Sequence, residues 1–278
     1  MFERLVHVLQ QKPGSGWKYL RLWYRFLQNS LAVELEYRAA FISELVLAVS
    51  RLAWQLAGIW VFFVHRPYLG GRWTLWEAAI VLGLFIFFDG FIETFLRPNM
   101  EAIIEHIRLG TLDFILLKPV DAQFMASVRW VRFRHVGDMV AGLGLMGLAL
   151  FRLHYMPGIV GFLLLPLMMA AGAIILYSIL LVLVTLAFWF IDLTNIVELI
   201  WSVYEAGRVP VDAFPRVVRV VLTFVVPIAF ITTVPAETLL GRISLPALLY
   251  AIGAAALSLG LSSLFWRYAL RHYTSASS

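Results

Sequence analysis

Long apolar runs, separated by short charged segments, dominate the chain. A helix that crosses the hydrocarbon core needs about 20 mostly apolar residues, because lipid offers no hydrogen-bond partner to an open backbone. Four runs reach this length and predict transmembrane helices, and a fifth, glycine-rich run is shorter. The long runs are Ala39–Val64, Trp73–Phe95, Leu163–Phe190 and Ser244–Trp266, and the short one is Val136–Leu153.

The region after Phe190 is interrupted by prolines. A short apolar helix is predicted over Asn195–Ala206, and a second apolar run, Val217–Val234, follows it. Proline removes a helical hydrogen bond and clashes with the preceding turn, so we expect a break inside this second run. We interpret residues 208–242 as an external hairpin that enters the membrane and returns to the same side; the alternative is a full span. The prolines that shape it are Pro210, Pro215, Pro227 and Pro235.

Basic residues predict the orientation. Cytoplasmic loops carry an excess of Lys and Arg, and six such residues precede Ala39 while six more lie in residues 97–135. Both segments are therefore predicted to be cytoplasmic, and six spans return the C-terminus to the cytoplasm as well. Within residues 1–36, the stretch WKYLRLWYRFLQNSL favours an amphipathic helix in the membrane interface over a frayed basic tail. Residues 1–278 show no internal repeat and form one all-α integral membrane domain in this interpretation.

Composition narrows the class of protein further. Hydrophobic residues make up 62% of the chain and charged residues 14%, against roughly 45–50% and about 25% in soluble domains. The formal charge of +5 fits basic loops beside anionic membrane lipid, and no nucleic-acid partner is predicted. The absence of cysteine excludes disulfides and thiolate metal sites. The N-terminus lacks the pattern of a cleaved signal peptide.

The central loop, residues 97–135, has a pattern of its own. Asn99 is a candidate helix cap, and Gly110 is a candidate left-handed stop. A second short helix is predicted to begin at Thr111 and to end before Pro119. Two short helices with apolar stripes fit a groove on a partner protein, while the alternative is a helix that lies on lipid. The candidate docking residues are Ile103, Ile107, Arg108, Gly110, Leu112, Asp113, Leu116, Lys118 and Pro119.

Three stretches resemble one bacterial family of ABC-2-type ABC transporter permeases. The most specific is GTLDFILLKPVDAQF at residues 110–124. LEYRAAFI at residues 35–42 and the stretch YEAGRVP to AETLLG at residues 204–241 are also similar, and the three follow the family's order. The resemblance implies six transmembrane helices, with a coupling helix between spans 2 and 3. It also implies a re-entrant hairpin between spans 5 and 6, and so favours the hairpin over a full span.

The same resemblance implies the partners and the location. Family members sit in the bacterial plasma membrane beside separate ATPase subunits, two copies per complex, and a second permease chain, identical or related. Some members are described as drug exporters, but drug, lipid and glycan substrates all stay open for this chain. A secondary transporter or channel that is not driven by ATP is the alternative function, and a membrane enzyme is disfavoured.

The sequence lacks the common motifs for nucleotide binding, metal binding and nucleophilic catalysis. There is no G-x-x-x-x-G-K-[ST] phosphate loop, no H-E-x-x-H metal motif and no G-x-S-x-G nucleophile elbow. No catalytic or metal-binding residue is therefore predicted. If ATP drives transport, ATP and Mg²⁺ bind to the partner ATPase, and this chain is a transport subunit rather than an enzyme.

Charged residues inside the predicted spans form the last candidate site. A charge at the centre of a span costs about 2.5–3.5 kcal/mol on insertion scales, so such residues face protein or water. One interpretation is a polar lining of a substrate path. The interpretation we favour is a static ion-pair network in which Arg51 pairs with Asp89 or Glu198. The members of this network are Glu44, Arg51, Asp89, Glu93 and Glu198.

Overall fold

The computed structural model describes residues 16–36, 38–190 and 194–273, without the side chains at 35, 38–42, 194–198 and 225. Residues 1–15 of the predicted cytoplasmic N-terminal segment lie outside this part of the chain. The regular structure in the described ranges is helical. Its helices are α1 Gly16–Glu36, α2 Arg38–His65, α3 Leu75–Phe91, α4 Arg97–Arg108, α5 Asp113–Leu116, α6 Ala122–Val128, α7 Val136–Leu153, α8 Ile159–Leu186, α9 Thr194–Glu205, α10 Arg216–Val220, α11 Thr233–Leu239 and α12 Leu245–His272.

Five helical stretches are long and apolar enough to cross a membrane, and they coincide with the five apolar runs of the sequence. A sixth candidate is a pair of short arms that meet at a bend. The five stretches are Ser43–His65, Leu75–Arg108, Phe133–Leu153, Ile159–Leu186 and Leu245–His272. The part of the chain that the structure describes is therefore that of an all-helical membrane protein with five or six candidate spans.

The second span is longer than the sequence predicts. We expected a helix that ends near Phe95 and a new helix capped by Asn99, and this prediction is wrong. One turn of π-helix, Ile92–Leu96, joins α3 to α4 into a single stretch. Pro98 follows the π turn and has no N–H for the Thr94 carbonyl one turn earlier, and the Arg132 N–H bonds to that carbonyl at 3.0 Å instead. Asn99 is fully buried and binds the backbone of Trp130 instead of capping a helix.

Helix α3 is the centre of the fold. Its residues between Ala78 and Ile86 are almost all buried, and α7 packs along it. Glycines bring the two helices into backbone contact: a Cβ added at Gly142 would lie 2.5 Å from the Gly83 carbonyl oxygen and 2.6 Å from the Phe87 nitrogen. Small residues allow such close approach between helices. Close packing matters in a membrane because lipid is as apolar as the side chains and the hydrophobic effect does not drive helices together.

Two short arms, Arg216–Phe224 and Ile228–Leu239, meet at a 70° bend. The non-helical backbone at the bend is covered by protein. A Cβ at Gly172 of α8 would approach the Phe230 carbonyl oxygen to 2.9 Å, and one at Gly207 would lie 2.8 Å from the Ile228 side chain. Both glycines therefore let neighbouring helices close over the bend, as an irregular backbone at membrane depth requires.

We predict that Gly142→Ala destabilises the protein by about 1–3 kcal/mol, because the added methyl group meets rigid backbone on α3. The thermal unfolding midpoint in detergent should fall. Gly144→Ala is the matched control, since nothing lies within 4 Å of its Cβ position on the same helix. That control should be neutral or slightly stabilising. Equal midpoints for the two variants would contradict the close α3–α7 contact.

Candidate functional site

The central loop closes α4 with a glycine stop. Gly110 has φ +65°, and its N–H bonds to the Ile107 carbonyl while the Thr111 N–H bonds to the His106 carbonyl. Left-handed glycine is the usual end of a helix, so the predicted stop lies where the sequence indicated. The following helix, α5, is only four residues long, shorter than the predicted run that begins at Thr111.

A further helix in this loop escaped the sequence analysis. Helix α6 begins after Asp121, whose carboxylate accepts a hydrogen bond of 2.9 Å from the Phe124 N–H. An aspartate that follows Pro119 by two residues is a typical start signal, so the sequence did contain a clue. The loop is therefore three short helices, α4 to α6, rather than two.

The loop turns some predicted docking residues inward and others outward. Ile103 and Leu112 are buried within the chain, and Leu112 packs with Leu22 of α1 and Met125 of α6. These side chains position the loop and do not offer surface to a partner. The most exposed large apolar side chains are others: Leu109 is 60% exposed, Phe114 70% and Leu117 80%.

Polar contacts fasten the loop to two spans. The Gln123 amide of α6 donates to the Tyr177 hydroxyl of α8 at 3.1 Å and to the Ser263 hydroxyl of α12 at 3.0 Å. Ser127 also bonds to Tyr177, at 2.8 Å. A displacement of α6 is therefore transmitted directly to α8 and α12.

The charges of the loop are mostly local. Arg108 pairs with Glu105 at 2.7 Å on the exposed side of α4. Burial lowers the pKa of Lys118, and the charge of Arg129 lowers it further. Lys18 of α1 donates to the Pro119 carbonyl at 3.4 Å, which ties α1 to the loop.

Arg51 forms an ion cluster that differs from the predicted network. Its guanidinium donates to Glu44 at 2.9 Å and to Asp138 of α7 at 2.8 Å. Among the described residues, these are its ion-pair partners, and Asp89 is not one of them. The side chain of Glu198 lies outside the described part of the chain. Asp138 was missed because it is 87 residues away, although it is the single acid of the glycine-rich run.

His135 completes this cluster. Its Nδ1 lies 3.6 Å from Glu44 and 3.7 Å from Asp138. One ligand atom from each of these three residues would fall within 4.8 Å of the others, a spacing that could hold a metal ion. Arg51 donates to both carboxylates, however, so a guanidinium takes the place that a cation would need.

Asp89 near the end of α3 and Glu93 in the π turn form a second polar group. They lie one turn apart and face α9, as the Phe85 and Tyr204 rings show with centroids 5.0 Å apart. Both carboxylates interact electrostatically with Tyr204. Glu93 pairs with Arg97 at 2.8 Å. Among the side chains that the structure describes, no ion pair joins this group to the Arg51 cluster, in contrast to the single network expected.

A third cluster joins both ends of the bent pair. Asp212 precedes the first arm and accepts hydrogen bonds from Arg72 Nε at 2.9 Å and Trp73 Nε1 at 3.0 Å. Arg72 also pairs with Glu237 at the end of the second arm. Burial opposes ionisation of Asp212, but the bonds from Trp73 and Arg72 outweigh it and hold its pKa below the ordinary value. None of these residues was predicted from the sequence as part of a site.

The predicted hairpin prolines take different positions. Pro215 precedes α10, and Pro227 lies at the bend between the arms. Pro210 is buried before Asp212. Pro235 lies in the first turn of α11, where it replaces an N–H without a helical partner and does not break the helix.

Residues 49–277 match the protein family described as "ABC-2 family transporter protein". The matched range includes the central loop, the bent pair and four of the five long apolar helices in full. No curated protein sequence is significantly similar to the chain.

We predict that Arg51→Gln lowers the free energy of unfolding by about 1–3 kcal/mol, because it leaves the carboxylates of Glu44 and Asp138 without their donor. Arg51→Lys should cost less, and adding Asp138→Asn to Arg51→Gln should restore part of the loss. Thermal unfolding in detergent measures this. Arg66→Gln, an exposed change at the other end of the span, is the control. A destabilisation equal to that of the control would contradict the stabilising role of the cluster.

Proposed function

The chain belongs to the ABC-2 transporter family, and we propose that it is the permease subunit of an ABC exporter. In this proposal it forms the translocation path together with a second permease chain, identical or related. Two separate ATPase subunits bind ATP and Mg²⁺ and drive the cycle. Nucleotide binding to the ATPases biases the permease pair between inward-open and outward-open states.

The observation that carries this proposal is the surface of the central loop. Leu109, Phe114 and Leu117 are the most exposed large apolar side chains of the loop, whereas Ile103, Leu112 and Ile115 are buried. Exposed apolar side chains on short helices are the anchors that a groove in a partner protein accepts. We therefore assign residues 97–135 as the coupling loop, with Phe114 and Leu117 as the principal contacts to the ATPase.

The central loop is also connected so that a movement of the loop is transmitted to the spans. Helix α4 continues α3 through one π-helical turn, so the loop and the most buried span move as one piece. Gln123 and Ser127 link α6 to α8 and α12. A partner that presses on Phe114 would thus act on three spans at once.

The external hairpin is the second structural part of the proposal. Asp212 and Glu237 both pair with Arg72. The start of the first arm and the end of the second arm therefore lie at the same depth relative to the membrane. That geometry favours a re-entrant hairpin over a broken full span. The chain then crosses the membrane six times, with α9 as the fifth span and both termini in the cytoplasm. The hairpin would form part of the external gate.

Two lipid-facing surfaces complete the assignment. Trp17, Leu20 and Tyr24 of α1 are exposed beside Arg21 and support an interfacial position for this helix. Helix α2 exposes Val46, Trp54 and Val61, and we propose that this face contacts lipid and the second permease chain. The plasma membrane of a bacterium is the location that this proposal implies.

We predict that Phe114→Ser combined with Leu117→Ser lowers the yield of co-purified ATPase and the substrate-stimulated ATP hydrolysis by about tenfold or more, the scale of losing two interface anchors. Met156→Ser is the control, because Met156 is 92% exposed but lies at the opposite end of the spans.

Asp113→Ala, Lys118→Ala and Gly110→Val should weaken coupling with the chain still inserted. Unchanged association and hydrolysis in all of these variants would remove the coupling assignment, whereas transport without any ATPase would favour a secondary transporter.

The topology has a direct test, because the chain contains no native cysteine. Arg216→Cys and Leu245→Cys flank the hairpin, and both should react with an impermeant thiol reagent in intact cells. Ser277→Cys near the C-terminus should react only after permeabilisation. If the pair were one full span, the reagent would reach only one of the two flanking positions. Gly241 is a poor labelling site, since its φ of +68° disfavours a side chain.

A further inference from the structure

A cavity of about 870 Å³ lies between the spans next to the central loop. Its apolar walls come from the π turn region, α8 and α12, with Phe91, Phe95, Ile174 and Leu259 among the lining residues. This volume falls in the range of about 300–1,000 Å³ that is typical of small-molecule sites. The cavity is separate from the Arg51 cluster and from the external cluster around Arg72.

The length of the cavity matches one leaflet of a bilayer. Along α12 it runs from Arg267 to Leu259, eight residues or about 12 Å at 1.5 Å per residue. Half of a hydrocarbon core is about 15 Å. Arg267 lies close to the loop end of α12, which ends at His272. An elongated apolar guest would therefore lie parallel to the spans, with its polar end at the level of the loop.

Polar groups are placed at one height in the cavity. Ser263 lies one turn deeper than Arg267 and accepts a hydrogen bond from Gln123, which also donates to Tyr177. The Ser263 hydroxyl keeps its own hydrogen to donate. This level, just below a cationic rim, corresponds to the ester groups of a membrane lipid, while the deeper walls are apolar.

The rim carries one charge of each sign. Arg267 and Asp121 both line the cavity and are exposed, and Trp23 of α1 lines it as well. One carboxylate oxygen of Asp121 caps α6, and the side chain keeps its negative charge. A headgroup with a phosphate and a primary ammonium group complements this pair better than one with a net negative charge. Trp at this level is typical of the membrane interface.

We propose that this cavity is a binding site for an amine-bearing phospholipid of the loop-side leaflet. One acyl chain lies between Phe91, Ile174 and Leu259, the phosphate binds Arg267, and the ammonium group binds Asp121. The lipid occupies the space between α6 and the spans α8 and α12, to which α6 is hydrogen-bonded. The binding site itself does not depend on the proposed coupling to an ATPase.

The test uses the full-length chain in nanodiscs of phosphatidylcholine that contain a trace of phosphatidylethanolamine with a photoreactive diazirine in one acyl chain. After irradiation, labelled peptides are mapped by mass spectrometry. We expect labels to concentrate on the cavity walls of α8 and α12. Unlabelled phosphatidylethanolamine should compete about fivefold better than phosphatidylcholine or phosphatidylglycerol, the effect of roughly one favourable charge contact at a membrane surface.

Four variants separate this site from general lipid contact. Ala173→Phe and Val128→Phe fill the cavity from two different helices and should remove most of the labelling there. Arg267→Gln should weaken competition by all three lipids. Asp121→Asn keeps a good helix cap and should abolish only the preference for phosphatidylethanolamine. Arg271→Gln, on the same helix but outside the cavity lining, is the control and should change nothing.

Labels spread evenly over the lipid-facing spans, or labelling unchanged by both filling variants, would overturn the proposal. Thermal unfolding identifies variants that do not fold. If both filling variants are lost in this way, the competition profiles of Asp121→Asn and Arg267→Gln decide, and profiles equal to that of the parent chain would overturn it. Loss of ATPase coupling with intact lipid labelling would contradict the proposed function but leave this site standing.

Discussion

Backbone groups inside a bilayer have no water to bind, and this constraint governs every irregular element of the chain. Departures from regular α-helix in the described apolar part of the chain include the π turn at Ile92–Leu96, the bend between Phe224 and Ile228, and the prolines Pro98 and Pro166 within helices. The bend and the π turn are covered by protein, and the Arg132 N–H bonds at 3.0 Å to the Thr94 carbonyl, to which Pro98 offers no N–H. Gly172 and Gly207 let α8 and the turn after α9 close over the bend, and the π turn continues the most buried helix. At the bend, glycines in the neighbouring segments therefore make an irregular backbone possible at membrane depth, because they let protein cover it.

Much of the fold could be predicted from the sequence, because hydropathy reports burial in lipid directly. The five apolar runs are helices in the structure, and the short helix after residue 193 begins and ends close to its predicted bounds. The end of the second span was predicted wrongly. Asn99 and Pro98 are start signals in an isolated helix, but here a tertiary contact with Trp130 takes the Asn99 side chain. Local signals could not reveal a partner 31 residues away.

The candidate site was less accessible to sequence reasoning. The stop at Gly110 depends only on local backbone geometry and was predictable, whereas the inward turn of Leu112 depends on its packing with Leu22 and Met125. Long-range ion pairs were the hardest part. Arg51 was correctly singled out as a residue that needs partners, yet Asp138 could be chosen over Asp89 only once α7 was known to pack beside α2. The cluster around Arg72 joins segments 140 and 165 residues apart.

The unbroken stretch from Leu75 to Arg108 also gives the molecule a lever. Its 34 residues span about 51 Å at 1.5 Å per residue, so the rod is longer than the hydrocarbon core of about 30 Å that it crosses. A rigid rod that pivots at its middle, where Gly83 and Gly90 hold it against α7, moves its two ends in opposite directions. A tilt of only about 5° displaces each end of such a rod by about 2 Å. Glu77, near the far end, pairs with Arg242 directly after the bent arms. A small movement at the central loop would thus reach the opposite face of the membrane reversed in direction and undiminished in size.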